Sequence, residues 1–277
     1  MTFAPLERED YEEPRCLLNM DPPNAETPVS TIPQLRVREK LDEYMSRRDY
    51  DGAERHLRYW LEEARAGRDL RGELMVRNEL IGHYRKTGNR DAALTQADAA
   101  IALLEPLGLG GSVSAGTTYV NAATAMNAFG ENERALELFH RARETYEAAS
   151  ADEALLGGLY NNLALVETAL GRYDDAAAHY ERAMAIMGRQ PNGALEQAIT
   201  CLNMADLAAA RYGMERGEAR IFTLLDQAQE LLDRPEAPRD GYYAFVCEKC
   251  APSFEYYGYF LAAEELKRRA RAIYERT

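Results

Sequence analysis

The apolar residues of this chain recur at helical spacing on either side of a series of short turns. After the turn at residue 130, for example, Ala135, Phe139 and Ala142 stand at i, i+4 and i+7, which places them on one face of an α-helix. A second helical pattern precedes each turn, with an apolar slot followed three positions later by another slot. The first slot holds Leu41, Ile81, Ala123, Ala164 and Ala205, and the second holds Tyr44, Tyr84, Met126, Glu167 and Ala208. Each unit is therefore predicted to be a helix, a tight turn and a second helix.

The units repeat at a nearly constant interval. The turn glycines Gly88, Gly130 and Gly171 are evenly spaced to within one position, and Arg48 occupies the same slot one interval before Gly88. A small residue follows each turn slot by five positions: Ala53, Ala93, Ala135 and Ala176. Because two antiparallel helices approach closely only where a side chain is nearly absent, these alanines are predicted to lie at helix crossings.

The pattern extends to six units and leaves out the beginning of the chain. The predicted repeat domain spans residues 34–277, with approximate repeats 34–68, 69–110, 111–150, 151–192, 193–236 and 237–277. Pro252 lies in the first helix of the last pair, and it predicts a kink or an early helix end there. Residues 1–33 have no helical period and four prolines after residue 20, which predicts an extended or disordered N-terminal arm.

Two stretches carry a resemblance to a known family. TYVNAATAMNAFGENERALELFHRAR (residues 118–143) and LYNNLALVETALGRYDDAAAHYERAM (residues 159–184) resemble the tetratricopeptide repeat family, and only the 40–42-residue period departs from its norm of about 34. The chain thus resembles a long-repeat variant of the family. The resemblance implies an all-α fold, a right-handed superhelical solenoid of about six antiparallel helix pairs, and a scaffold for protein–protein interaction.

Composition narrows the classes of partner. Lys and Arg number 33 against 46 Asp and Glu, a formal charge of −13, so there is no concentrated basic surface for nucleic acid. No stretch is apolar enough for a secretion signal or a membrane span, which predicts a cytoplasmic protein that contacts neither nucleic acid nor membrane. Four scattered cysteines in such a compartment are expected to be thiols.

A row of asparagines is the most informative feature outside the predicted core. Asn121, Asn162 and Asn203 recur at equal intervals of one repeat in three successive first helices, and Asn78 stands one helical position out of register. In the family that the chain resembles, first helices line a concave groove, and an asparagine in this slot holds the backbone of an extended bound peptide. Two interpretations stay open, because a carboxamide can bond a peptide or bridge neighbouring helices equally well.

Further candidate peptide-binding residues surround this row. Thr124, Leu165 and Asp206 follow the asparagines by three positions on the same face, with Asn161 and Thr168 close by. A basic cluster in the first two repeats comprises Arg36, Arg38, Lys40, Arg77, Arg85 and Lys86. These cations, Arg85 among them, either bind a carboxylate of the peptide or form a solvated face with intrahelical pairs such as Glu39 with Arg36.

No catalytic residue, metal ligand set or cofactor is predicted. Cys247 and Cys250 form a CEKC pair, but a redox site needs a strand beside the helix start, and zinc needs two further ligands in a second paired spacing. The four histidines, His56, His83, His140 and His179, are scattered singly. Buried packing is therefore the favoured interpretation of the two thiols.

The last pair is unusually aromatic, with Tyr242, Tyr243, Phe245, Phe254, Tyr256, Tyr257, Tyr259 and Phe260. These rings either close the core or form a contact of a homodimer or a partner. The main hypothesis is a scaffold that binds an extended peptide or protein segment in its groove. The alternative is a peptide-sensing regulator resembling bacterial pheromone receptors without a DNA-binding domain, and a remote alternative is a CxxC redox or metal protein.

Overall fold

A computed structural model describes residues 28–275, which form six antiparallel helix pairs and contain no strand. The pairs are α1 (Gln34–Ser46) with α2 (Tyr50–Ala66), α3 (Leu70–Thr87) with α4 (Arg90–Ala102), α5 (Val113–Ala128) with α6 (Asn132–Ala148), α7 (Glu153–Ala169) with α8 (Tyr173–Met187), α9 (Ala194–Tyr212) with α10 (Met214–Asp233), and α11 (Gly241–Tyr256) with α12 (Phe260–Tyr274). Each of the described helices packs against the next along the chain, apart from α10 and α11, where α9 packs against α11 instead. The predicted all-α solenoid of helix pairs is confirmed.

The residue in each turn slot has a left-handed backbone conformation. Gly88, Gly130 and Gly171 have φ of 77°, 79° and 75°, a left-handed conformation that glycine adopts without steric strain and that commonly ends a helix. Arg48 occupies the same slot with φ of 57°. The residue after two of these turn slots then caps the second helix, since the side chains of Asp49 and Asn89 accept the amide hydrogens of the residues three positions on.

The small residues of the pattern lie where the helices cross. Ala53, Ala93, Ala135 and Ala176 are fully buried. Two further close approaches were not among the expectations: a Cβ on Gly116 would lie 2.4 Å from Cε1 of Tyr146, and one on Gly157 would lie 2.6 Å from Cε of Met187. Gly116 and Gly157 lie one repeat interval apart, and so do their partners Tyr146 and Met187. The repeat interval is therefore the sequence signal that could have identified these close approaches.

A tyrosine and an arginine join the two helices of the third and fourth pairs in the same way. The guanidinium of Arg141 lies 4.4 Å from the ring centre of Tyr119 and donates to its hydroxyl at 2.9 Å. Arg182 repeats this contact with Tyr160 in the next repeat, at 5.0 Å and 3.4 Å. A cation over an aromatic face adds about 0.5–1 kcal/mol at accessible sites, so each contact stabilises the pairing of its two helices.

The described chain begins at the end of the predicted arm. The amides of Val29 and Ser30 donate to the carbonyl of Gly67 at 2.9 and 3.2 Å, and the amide of Ile32 donates to Oδ2 of Asp69 at 3.0 Å. Residues 28–33 therefore pack on the turn between α2 and α3. The rest of the predicted arm, residues 1–27 with Cys16, and residues 276–277 lie outside the described residues.

The expectation of an early helix end at Pro252 is not met. Helix α11 contains Pro252 and continues to Tyr256. Proline removes the hydrogen bond to the carbonyl of Glu248, but Pro252 lies on an exposed face where water can solvate that carbonyl. The lost bond therefore does not terminate the helix.

The first and last pairs contact each other. The guanidinium of Arg48, in the turn between α1 and α2, forms an ion pair with Glu248 of α11. The hydroxyl of Tyr274 donates to the same carboxylate at 3.3 Å, and Arg48 lies 5.7 Å from the centre of the Tyr274 ring. The array thus curves until its two ends meet. None of the described helices is long and apolar enough to cross a membrane.

Candidate functional site

The first helix of each pair lies on the inner side of the curve. From α3 to α11, successive first helices contact one another, as α5 contacts both α3 and α7, whereas α2, α4, α6 and α8 pack mainly against their partner and the next first helix. Elements on the inside of a curve are closer together, so the accessible stripes of the first helices form what we call the inner face. Its residues are Met75, Glu79, Gly82, Arg85 and Lys86 of α3; Thr117, Asn121, Thr124 and Ala128 of α5; Leu155, Gly158, Asn162, Leu165 and Ala169 of α7; Glu196, Asn203, Asp206 and Ala210 of α9; and Tyr242, Phe245, Lys249, Pro252 and Tyr256 of α11.

Asn78 and Asn121 bridge two neighbouring repeats. Nδ2 of Asn78 donates to the carbonyl of Leu74 at 3.0 Å and to Oγ1 of Thr118 at 3.1 Å. Nδ2 of Asn121 donates to Oδ1 of Asn78 at 2.9 Å. The carbonyl of Leu74 can only accept, which fixes the orientation of the Asn78 amide and therefore that of Asn121. These two amides join α3 to α5.

A second bridge joins α7 to α9. Nδ2 of Asn203 donates to Oδ1 of Asn161 at 3.0 Å, and Asn161 is only 7% exposed. In both bridges, therefore, the asparagines join neighbouring helices, as the internal-bridge interpretation proposes, but this uses only part of their hydrogen-bonding capacity. Asn121 and Asn203 are half-buried, and their Oδ1 atoms make no hydrogen bond with any described residue, so each still presents an acceptor to the inner face.

Asn162 differs from the other members of the row. It is half-buried on α7, between Asn121 and Asn203, and its carboxamide makes no hydrogen bond with the described part of the chain. No atom lies within 4 Å of a Cβ built on Gly158, one helical turn away, so the surface beside it is open. Asn162 therefore offers a complete amide, two donors and an acceptor, at the middle of the inner face.

The neighbours named with the asparagines divide by chemistry. The hydroxyls of Thr124 and Thr168 donate back to their own helices, to the carbonyls of Val120 and Ala164 at 2.7 and 2.8 Å. Leu165 is half-buried and apolar. The middle of the inner face is thus neutral, with polar, small and apolar side chains.

Charged side chains stand on either side of this neutral stretch. Arg85 of α3 and Asp206 of α9 are both exposed, yet burial lowers the pKa of the Arg85 guanidinium and raises the pKa of the Asp206 carboxyl. Burial likewise raises the pKa values of Glu79 and Glu196. Neighbouring atoms therefore partly surround each of these charged groups, although water still reaches Arg85 and Asp206.

The other cations of the predicted basic cluster have local roles or point to solvent. Lys40 pairs with Glu43, Arg77 bonds Glu73 at 2.9 Å and Gln96 at 2.6 Å, and Lys86 lies 5.3 Å from the centre of the Tyr50 ring. Arg36 and Arg38 are exposed on α1, and the example pair of Arg36 with Glu39 is not formed among the described residues. Arg85 makes no ion pair with any described residue.

The CEKC pair is buried. Cys247 and Cys250 are free thiols, 0% and 2% exposed, and burial raises the pKa of both, that of Cys250 to about 12. Such thiols hold little thiolate near neutral pH and are poor nucleophiles. Within residues 28–275 no three His, Cys, Asp or Glu side chains come together as a metal site.

The histidines and aromatic residues mostly occupy helix interfaces. Nδ1 of His179 donates to Oε2 of the buried Glu167 at 2.7 Å, and the His179 ring stacks on Tyr160 with 5.5 Å between ring centres. In the last pair, Tyr243, Phe254 and Tyr257 close the core, whereas Tyr242, Phe245, Tyr256 and Phe260 are exposed. The core-closing interpretation therefore holds for the buried rings, and a contact with a homodimer or a partner stays a prediction for the exposed rings.

Comparison with known proteins agrees with this architecture. A sequence profile described as tetratricopeptide repeat matches residues 157–189. The crystal structure of BtubC (BKLC) from P. vanneervenii superposes with a TM-score of 0.61 at 22% identity, covering 74% of this chain and 83% of that chain. The crystal structure of a Rap protein complexed with Competence and Sporulation Factor superposes with a TM-score of 0.57 at 13% identity, covering 90% of this chain and 66% of that one. No curated protein matches the sequence significantly.

At these identities the likeness to the two structures is one of fold. The segment 157–189 matches a tetratricopeptide repeat, and the six helix pairs share the fold of the two structures, which confirms the resemblance read from the sequence.

Proposed function

We propose that the protein is an interaction scaffold that binds an extended peptide or protein segment along its inner face, from α3 to α9. The observation that carries this proposal is the accessible, unpartnered carboxamide of Asn162, flanked one repeat away on each side by the free Oδ1 atoms of Asn121 and Asn203. A helical scaffold does not need three such groups in one row.

The spacing of these amides suits an extended chain. Packed helices lie about 8–10 Å apart, and an extended peptide advances about 3.3 Å per residue, so one amide meets about every third residue. The Oδ1 atoms of Asn121 and Asn203 can accept peptide N–H groups, while one N–H of each Nδ2 is used in the bridges. Asn162 can pair with both an N–H and a C=O. Backbone recognition of this kind tolerates many side chains.

Two other features support the proposal. The neutral middle of the inner face has open space above Gly158 and no charge that a peptide backbone would leave unpaired. The Rap protein that shares this fold was crystallised with Competence and Sporulation Factor, so the fold can hold a ligand in that protein.

The test is the affinity of peptides retained by the purified protein from a random eight-residue library. We expect Asn162→Ala to weaken binding by about two- to tenfold, the worth of one net hydrogen bond, without lowering the melting temperature. Asn192→Ala, an exposed loop asparagine without a partner among the described residues, is the matched control and should change nothing. Unchanged binding by the Asn162 variant would count against the proposal.

A second use favoured by the likeness to the Rap protein is regulation, in which the bound peptide alters contacts with another protein. Here the peptide should change the overall dimensions of the protein in solution scattering.

The exposed Tyr242, Phe245 and Tyr256 could also form a homodimer contact, which we propose and which sedimentation would test.

A further inference from the structure

Two opposite charges on the inner face have no counter-ion. Arg85 is exposed on α3 and makes no ion pair with the described residues. Asp206 is exposed on α9, where its only polar partner among those residues is the hydroxyl of Tyr257, which donates to Oδ1 at 2.7 Å. Some exposed charges elsewhere on the array are paired, as Arg211 with Asp174 at 2.7 Å.

Both groups are held in poorly solvated positions. Burial shifts the pKa of each toward its neutral form, although water can reach both side chains. An unpaired charge that is partly desolvated lowers stability, and residues kept in that state are concentrated at functional sites. A ligand of complementary charge would relieve the unfavourable desolvation of each group.

The surface between these two charges is neutral. The stripes of α5 and α7 contribute Thr117, Asn121, Thr124, Ala128, Leu155, Gly158, Asn162, Leu165 and Ala169. Of the other charges on the inner face, Glu79 lies near Arg38 and Asp42 of α1, Lys86 lies 5.3 Å from the centre of the Tyr50 ring, and Glu196 lies near Lys249 of α11. Arg85 and Asp206 therefore mark two ends of an uncharged stretch.

The separation of the two ends sets the length of a ligand that reaches both. From α3 to α9 there are three steps between first helices, about 25–30 Å at the usual spacing of packed helices. An extended peptide covers that distance in about eight residues.

We propose, building on the function proposed above, that the inner face selects an extended segment of about eight residues with a cationic side chain at the Asp206 end, a carboxylate at the Arg85 end and a neutral middle. The groove is polarised, so charge at the two ends fixes where along the array the segment lies. The hydroxyl of Tyr257 orients the Asp206 carboxylate and leaves Oδ2 for the cation.

The experiment uses the full chain and a library of eight-residue peptides with blocked termini and six randomised neutral positions. Four classes differ at their ends: Lys and Glu, Lys and Gln, Gln and Glu, or Gln and Gln, each in both chain orders. The amount of each class retained by the protein at low salt is measured by mass spectrometry. We expect the Lys and Glu class to be enriched over the Gln and Gln class by about fivefold per charged end, the upper range for an accessible ion pair.

Matched variants assign each end. Asp206→Asn, which can still accept from Tyr257, should abolish the preference for Lys and leave the preference for Glu. Arg85→Gln should do the reverse. Glu230→Gln and Arg55→Gln remove exposed, unpaired charges from the second helices α10 and α2 and should alter neither preference.

Each outcome decides between the two proposals. Equal retention of all four classes, with retention still lowered by Asn162→Ala, would overturn the charge polarity and leave the peptide-binding function standing. Retention of no class above that of a protein-free resin would overturn both. Enrichment that the control variants also abolish would show that net charge, and not these two residues, selects the peptide.

Discussion

At the scale of single residues, the asparagine row combines two tasks that a sequence pattern cannot separate. Asn121 and Asn162 occupy equivalent positions in their repeats, and the repeat interval could predict that both face the groove. Asn121 bonds Asn78 of the preceding repeat, whereas Asn162 has Asn161 beside it on its own helix and no such partner among the described residues. Whether an asparagine of the row is bonded depends on which residue of the preceding repeat lies against it. That residue can be identified only when the positions of the neighbouring helices are known.

Loss of Asn78 should affect stability more than loss of any other member of the row. Asn78→Ala leaves Nδ2 of Asn121 and Oγ1 of Thr118 without the partner they have now, in a partly buried position. We expect the free energy of unfolding in urea to fall by about 1–3 kcal/mol. Asn162→Ala is the control and should change it by less than about 0.5 kcal/mol. Equal losses would show that the bridge adds no stability.

Two histidines should make the fold sensitive to mild acid. His83 and His140 each have a buried Nδ1 atom without a hydrogen-bond partner among the described residues, and burial lowers the pKa of both below the usual value of 6.5. The unfolded chain therefore binds more protons than the folded chain just below pH 6.5. Above that pH the two histidines should not lower the free energy of unfolding. As the pH drops through 6.5 toward the lowered pKa values of the folded state, the free energy of unfolding is expected to fall.

Urea midpoints measured from pH 7.5 to 5.5 would check this sign, and His140→Asn should reduce the slope. Glu167, His179, Arg143 and Glu144 surround His140, and Asp51 and Glu54 face His83, so each variant must be compared with the wild type at every pH. A midpoint that rises toward pH 5.5 would contradict the prediction.

At the scale of helices, small residues determine how closely each pair packs. The alanine slots and turn glycines could be predicted because each repeats at a fixed distance from its neighbours in the sequence. The close approaches at Gly116 and Gly157 and the contacts of Arg141 and Arg182 with tyrosines recur at the same interval, but their partners lie on the other helix of the pair. Pairing a residue with a partner across a turn requires the rotation of both helices about their axes, which apolar periodicity gives only coarsely.

Two glycines on neighbouring first helices should respond to alanine with opposite signs. Gly116→Ala brings a methyl group within 2.4 Å of the buried Tyr146 ring, whose hydroxyl is hydrogen-bonded to Thr117 at 3.0 Å and so resists displacement. A loss of about 1–3 kcal/mol is expected, as for overpacking of a core. Gly158→Ala meets no atom within 4 Å and should gain about 0.5–1 kcal/mol from helix propensity.

Thermal and urea unfolding of both variants would measure this difference. Because Gly158 lies on the inner face, its alanine variant should also show whether added stability reduces peptide binding. A stabilised Gly116→Ala variant would indicate that Tyr146 moves freely and that glycine is not required there.

At the scale of the whole molecule, the contact between the first and last pairs is the feature that local patterns could least predict. Each repeat turns slightly relative to the last, and whether six of them bring Arg48 to Glu248 depends on the sum of those rotations. Small differences in helix packing accumulate along an array. The sequence could therefore predict the number of pairs and their order but not that the ends touch.

This contact should be easily opened. Both side chains are substantially exposed, and an exposed ion pair contributes about 0.2–1 kcal/mol and less at high salt. Arg48→Glu places like charges together, so we expect a larger radius of gyration in solution scattering with almost no change in melting temperature. The double variant Arg48→Glu, Glu248→Arg should restore the wild-type dimensions. If the single variant keeps those dimensions, the ends are held by other contacts.

The contact between the two ends also affects which kinds of ligand can reach the inner face. While Arg48 rests on Glu248, a strand with a free terminus can thread inward, but a stretch flanked on both sides by folded domains must wait for the ends to part. Binding of an internal stretch would then be slow and would become faster at high salt. The rate at which a free tail binds would not depend on the contact between Arg48 and Glu248.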